Sequence, residues 1–308
     1  MSAEGGTRAI VAALLANLGI AVTKFVAFLV SGSSSMLAES IHSLADSGNQ
    51  VLLIVGGRRA RRDATPLHPF GYGRERYVYA FIVSIVLFSV GGLFSVYEGI
   101  HKIQHPEPIR DAWLPLTVLL VAVVLEGFSL RTAVSESNKI RPREQSWVQF
   151  VRRAKAPELP VVLLEDTAAL VGLVLALFGV STAVLTGDGV WDGVGTIFIG
   201  VLLVVVAVVL GIETKSLLLG EGASTADVSA IEAAIVGPGL GRVIHMKTLY
   251  LGPDELLVAA KVAVTQANTG AEIAAAINAA EARVRAAVPV ARVIYLEPDL
   301  DRRSPSGG

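Results

Sequence analysis

Apolar residues fall into six long runs along this chain, broken by short polar stretches, and a mixed segment follows them. The runs cover about residues 7–31, 34–57, 75–100, 112–134, 159–181 and 190–212. Each approaches the ~20 residues a helix needs to cross ~30 Å of hydrocarbon, so each predicts a membrane span. The second run departs from the pattern. Its first half reads "LAESIHSLADSGNQ", residues 37–50, which lowers its hydropathy and leaves a re-entrant or surface helix as the alternative to a full crossing. Past "LLLGEGAS" the period changes. "TADVSAIEAAIVG" and "TGAEIAAAINAAEARVRAAV" read as helices; "GRVIHMKTLYLG", "ELLVAAKVAV" and "ARVIYLEP" read as strands, the first two joined by the turn "GPD". The predicted fold is an α-helical membrane protein with six transmembrane helices over residues 1–220, then a small α+β domain over 221–301 and a disordered tail over 302–308.

Composition agrees with a membrane protein. Of 308 residues, 53% are hydrophobic and 17% charged, with mean hydropathy +0.60, where soluble domains carry about 25% charged residues. Basic residues mark the sides. The loop after the second run holds Arg58, Arg59, Arg61 and Arg62, and the one after the fourth holds Lys139, Arg141, Arg143, Arg152, Arg153 and Lys155. The first-to-second and fifth-to-sixth connections carry no Lys or Arg. By the positive-inside rule the two basic loops are cytoplasmic, and six spans put both termini there too. These loops are membrane anchors, or seats for anionic headgroups or acidic partner surfaces. A net charge of −1 gives nucleic-acid binding no electrostatic support. The first run is too long for a signal-peptide core and lacks a basic leader. With no cysteine in the chain, His and carboxylates are the strong metal ligands available.

The polar stretch has an ordered spacing. Glu39, His42, Asp46 and Asn49 are three, four and three residues apart, which places them on one helical stripe. Carboxylates inside a membrane are costly unless paired, and usually face a functional cavity. A second polar insert, Glu165 and Asp166, interrupts the fifth run. Adjacent residues point ~100° apart, so one can reach a cavity while the other faces a neighbouring helix or water. His42 and Asp46 with Asp166 make a three-sided N/O metal site; the fourth ligand is Glu165, Glu39, Asn49 or water. Such a set suits zinc and also takes manganese, iron or cobalt. Glu126 and Asn17 are further cavity-lining candidates, Asp192 reads as a cap or an interfacial residue, and Lys24 as a snorkelling residue. Ser40 and Ser43 have no triad around them, so the stretch gives a membrane-embedded hydrolase no support.

The stretches "SGSSSMLAESIHSLADSGNQ", "HPFGYGRER", "LLEDTAALVG" and "WDGVGTIFIG", in this order and spacing, resemble the cation diffusion facilitators, and the zinc transporter 9-like branch in particular. The resemblance implies a six-span metal transporter with a ferredoxin-like cytoplasmic domain, working as a homodimer. It assigns His42 and Asp46 to the ligand pair of the second helix and Asp166 to that of the fifth. The usual fifth-helix partner stands here as Val162, so Glu165 is the nearest replacement. Accessory sites are thinned: His68 keeps one position before the third span where Tyr72 replaces a second His, and His245 and Glu297 remain in the soluble domain as weak metal candidates. His101 and His105 read as solvated loop residues.

The expected function is export of a divalent cation, most readily zinc, from the cytoplasm in exchange for protons. The metal is the substrate and the protons are the counter-ion; no resident cofactor is expected. Metal needs a neutral imidazole and ionised carboxylates, so metal and protons compete for the same atoms. An unperturbed imidazole titrates near ~6.5, which makes His42 the natural exchanger. The partners expected are the cation, protons, the lipid bilayer and a second copy. The membrane is the plasma membrane if the host is bacterial. The alternatives are the same architecture with manganese, iron, cobalt or magnesium as cargo, or a non-transporting membrane protein whose soluble domain recruits partners.

Overall fold

A computed structural model of the chain describes residues 3–264 and 268–300, with side chains from Asn17 onward. The expected disordered tail lies outside the described residues. The chain divides into two compact units. One takes residues up to Arg58 together with Arg76–Lys215; the other takes Arg59–Glu75 and the residues from Ser216 onward.

The first unit is helical. Long helices occupy all six predicted stretches: α1 (Ala3–Ser31), α2 (Ser34–Arg59), α3 (Glu75–Val86) running through a π-helical segment (Leu87–Leu93) into α4 (Phe94–Gln104), α5 (Trp113–Ile140), α7 (Glu158–Thr186) and α8 (Val190–Leu219). Among the described residues, four are long and apolar enough to cross a membrane: Glu75–Gln104, α5, α7 and α8. The described apolar part of α1, Asn17–Ser31, is shorter, and α2 carries the polar stripe. A short helix, α6 (Trp147–Arg153), also stands in the basic linker, where the sequence reading placed only a loop. Its start is fixed by a capping box between Ser146 and Gln149.

The break between α1 and α2 has a local cause and a distant one. Gly32 takes φ +70 and its N–H donates to the carbonyl of Phe28, closing α1. The first turn of α2 is then capped from α8. Asp192, fully buried, accepts from the Ser34 N–H at 2.7 Å, the Ser35 N–H at 3.3 Å and the Ser33 hydroxyl at 2.9 Å. Asp192 is thus a cap, but for a helix 158 residues away in sequence. Its removal strands buried donors as well as a cap. We expect Asp192→Ala to cost about 2–3 kcal/mol, read as a lowered unfolding midpoint of the detergent-solubilised protein. Asp192→Asn, which keeps one acceptor, should lose less.

Small residues set how closely helices approach. A Cβ added to Gly92 would lie 2.6 Å from Val204, one on Gly99 2.6 Å from Ile197 and one on Gly200 2.7 Å from Val96. The helix containing the π segment therefore meets α8 almost backbone to backbone, the packing that replaces hydrophobic burial as a glue inside membranes.

The second unit follows the predicted order: α9 (Thr225–Ile235), β1 (Val243–Gly252), β2 (Glu255–Val264), α10 (Gly270–Ala287), β3 (Ala291–Leu300). The sheet order is β1-β2-β3, antiparallel between β1 and β2 and parallel between β2 and β3, with α10 as the crossover. Leu256, Val258, Ala260 and Val262 alternate inward along β2 and pack with Ile231 and Ile235 of α9 and Ala280 and Val284 of α10. Ser224 and Thr269 cap the two helices.

Candidate metal site

The stripe on α2 is turned inward as its spacing predicts. Glu39, His42 and Asn49 are fully buried, and the side chain of Asp46 is 14% exposed. Nε2 of His42 lies 3.5 Å from Oδ2 of Asp46. One turn on, Asn49 donates from Nδ2 to Oε1 of Glu165 at 2.7 Å, so the polar stripe of α2 touches the acidic insert of α7. At the other end of the stripe, Glu39 Oε1 would lie 2.9 Å from a Cβ on Gly172. Glu39 meets α7 at Gly172 and Asn49 meets it at Glu165, so the two helices run antiparallel along this face.

The adjacent acids diverge, as the ~100° step requires. Glu165 faces α2 and is buried. Asp166 turns to α5, where the Ser129 hydroxyl donates to its Oδ2 at 2.8 Å. Glu126, half-buried and one turn before Ser129, completes an acidic surround: Glu165, Glu126 and Asp166 all lie close enough to act electrostatically on Asp46. Asn17 is half-buried on α1.

Lys24 does not snorkel. It is 1% exposed, donates to Oε2 of Glu39 at 2.9 Å and to the Ser43 hydroxyl at 2.8 Å, and so brings α1 to the same place. Sequence reading missed this because the partner is on another helix. Ser129 was missed as well; its one signal is a position three residues after Glu126.

Several polar atoms here remain unused by the protein. Both ring nitrogens of His42, Oδ1 of Asp46, Oδ1 of Asn49 and Oε1 of Glu39 are buried without a hydrogen-bond partner. Buried groups of this kind are rare, because each costs its desolvation. Together they supply one soft nitrogen donor and several oxygen donors. Among the described residues, no three His, Asp or Glu side chains are drawn together closely enough to hold a metal ion. The donors stand as neighbouring pairs on α2, α5 and α7. Val162 packs in an apolar cluster with Phe150, Leu163 and Ala133 and brings no donor.

The accessory candidates sit differently. His68 is exposed, stacks edge-on against Tyr72 at 4.6 Å and exchanges backbone hydrogen bonds with Thr65. His245 pairs with Lys261 across β1 and β2. The Lys261 ammonium lies 3.1 Å from Glu297 and 3.3 Å from Asp299. Hydrogen bonds to Glu297 and then Asp299 hold it above the ordinary lysine range. Glu297 therefore already has a cation. His101 and His105 are exposed at the end of α4 with ring centroids 5.0 Å apart.

The chain is similar to known proteins. The family model described as the cation efflux transmembrane domain matches residues 10–219. The chain is 32% identical over 241 residues to the proton-coupled zinc antiporter SLC30A9, mitochondrial, of Homo sapiens, covering 78% of this chain and 42% of that protein. It is 31% identical over 264 residues to the Xenopus laevis protein of the same name, covering 85% and 47%. It is also 31% identical over 225 residues to metal tolerance protein C4 of Arabidopsis thaliana, covering 73% and 49%. The chain thus spans less than half the length of these relatives.

Proposed function

The chain belongs to the cation efflux family, a family of transporters and not enzymes, and we propose that it exports zinc from the cytoplasm in exchange for protons. The observation that carries this is the contact between α2 and α7: Asn49 bonded to Glu165, with Asp46 and His42 one and two turns away and acids of α5 and α7 acting on Asp46. His42, Asp46 and Asp166 are the ligands, and Glu165 the fourth. Arrival of the metal draws the pairs together; their unpartnered nitrogen and oxygen atoms are what it binds. Protons leave the same atoms as metal binds and return as it departs, which couples the two flows without a separate proton path. Alternating access rocks the helices about this buried site. All six long helices cross the membrane in this reading, both termini face the cytoplasm, and two copies pair as a homodimer. The SLC30A9 relatives are named proton-coupled zinc antiporters, which supports cargo and counter-ion alike.

One observation favours a broader cargo. With Val162 in an apolar cluster, the site has a single imidazole and otherwise oxygen donors, a set that manganese tolerates as well as zinc does. The test is uptake into proteoliposomes holding the full chain, with zinc, manganese, iron, cobalt and magnesium each offered under an imposed pH gradient. Zinc flux that rises with the gradient, together with proton movement in the opposite direction, is the expected result. Zinc flux indifferent to the gradient, with no proton movement, would overturn the antiport. A folded chain that moves none of the metals would overturn transport itself.

A further inference from the structure

The end of α4 carries a histidine pair that the buried site does not use. The stretch reads "HKIQH"; it is helical to Gln104, and His105 is the capping residue, its N–H donating to the His101 carbonyl at 2.9 Å. Two residues that the sequence placed in a solvated loop therefore stand one helical turn apart on one face. Of the five histidines in the chain, only these two have that spacing. Histidines at i and i+4 on a helix can each give a nitrogen to the same metal ion.

The neighbouring residues face the other way. Gly99 lies against α8, where an added Cβ would meet Ile197 at 2.6 Å and the Gly193 carbonyl at 2.8 Å. The ammonium of Lys102, 7% exposed, donates to the Gly32 carbonyl at 2.9 Å. The backbone of α4 is thus held close against the bundle, and the adjacent cation is turned inward and bonded. Both imidazoles are exposed on the outer face, with Tyr97 stacked on His101 at 6.4 Å.

The rings are spaced for a shared ion. A metal ~2.0–2.1 Å from one nitrogen of each ring stands about 3.2 Å from each ring centre, and a near-tetrahedral angle then separates the centres by about 5 Å. The centroids of His101 and His105 are 5.0 Å apart, with the planes tilted by 34°. We propose that these two histidines chelate one divalent ion of the zinc, nickel and copper class, with water in the remaining positions. Imidazole nitrogen favours those metals over magnesium and calcium, which take oxygen. With both rings on one rigid helix, the second nitrogen binds at high effective concentration once the first is engaged. Two protein ligands make an exchangeable site, since structural zinc sites use four. The helix Glu75–Gln104 begins after the basic loop and ends at this pair, so the pair lies on the face away from that loop. On the proposed direction of export this is where metal emerges, but binding to the pair stands apart from that reading.

The experiment is electron paramagnetic resonance on the full chain in detergent, titrated with copper(II) iminodiacetate. This complex keeps two neighbouring positions open for a pair of imidazoles and is too bulky for the buried stripe of α2. The expected result is one bound complex per chain with two imidazole nitrogens on the copper, displaced by excess zinc and not by magnesium. His101→Gln and His105→Gln, each on an exposed side chain, should weaken binding about tenfold or more and leave a single-imidazole signal. A single-imidazole signal from the unaltered chain would overturn the proposal. So would either variant binding as tightly as the unaltered chain, or a copper complex that excess zinc leaves in place. Because no transport is measured, loss of this site would leave zinc export standing, and a transport-dead chain would leave this site standing.

Discussion

Asp46→Ala should abolish metal flux, lowering it by more than ~100-fold in proteoliposomes, with the protein still folded in detergent. The magnitude follows from what Asp46 does in the proposed site. Losing a group that merely orients a ligand typically costs 10–100-fold in metal affinity or activity, and Asp46 is proposed as a ligand itself. It is the residue on which Glu165, Glu126 and Asp166 converge electrostatically, and its Oδ1 is buried with no protein partner to replace. His42→Ala and Asp166→Ala should lose flux in the same way. Glu165 separates two roles, because its carboxylate also accepts the bond from Asn49. Glu165→Gln keeps an acceptor for Asn49 but removes the charge. If Glu165 is the fourth ligand, Gln and Ala both lose transport. If it only ties α2 to α7, Gln retains flux while Ala weakens the protein. Ser129→Ala removes the hydroxyl that donates to Asp166 and should lower flux by about 10-fold without abolishing it. Flux at the unaltered level in Asp46→Ala would remove the metal site from this face of α2.

Much of this was readable before any coordinates. Long apolar runs gave the long helices, since length and hydropathy are local properties. The order of the soluble elements also followed from local period and the turn "GPD". The spacing of Glu39, His42, Asp46 and Asn49 set a stripe, because side chains three and four apart must share a face. The divergence of Glu165 and Asp166 followed from the same geometry, but their destinations, Asn49 and Ser129, did not: a partner on another helix leaves no mark on local periodicity. Lys24 was misread for this reason, since snorkelling is the default for a lysine whose counter-charge is out of sight. Asp192 reads as a cap or an interfacial residue, and it is a cap, but of α2 and not of its own helix. α6 is a different case. Its signal, Ser146 followed three residues later by Gln149, is a local capping-box pattern that the sequence carries. Whether α2 crosses the membrane was open from hydropathy, because the polar face that lowers its score is the face it buries against α7.

Breaking the Lys24–Glu39 pair from one side should damage the protein more than removing it whole. Both side chains are essentially inaccessible, at 1% and 0% exposure, and 2.9 Å apart. Deleting one partner of such a pair leaves an uncompensated buried charge and typically costs 3–5 kcal/mol, whereas replacing both by neutral groups of similar volume is often near neutral. Lys24→Met and Glu39→Gln are each expected to lower the unfolding midpoint by an amount corresponding to ~3–5 kcal/mol. The double variant should recover most of the loss. A double variant that simply sums the two losses would show that the charges are not coupled. Flux then distinguishes structure from chemistry. His42 feels both charges electrostatically, and Glu39 lies on its stripe, so Glu39 is also a candidate ligand. If the pair only braces α1 against α2, the double variant regains metal flux along with stability. If Glu39 gives up Lys24 to bind the arriving metal, its unpartnered Oε1 is the atom in place to do so. The double variant would then be stable and transport-dead, and the ammonium of Lys24 would be acting as the internal cation that holds the carboxylate until the metal displaces it.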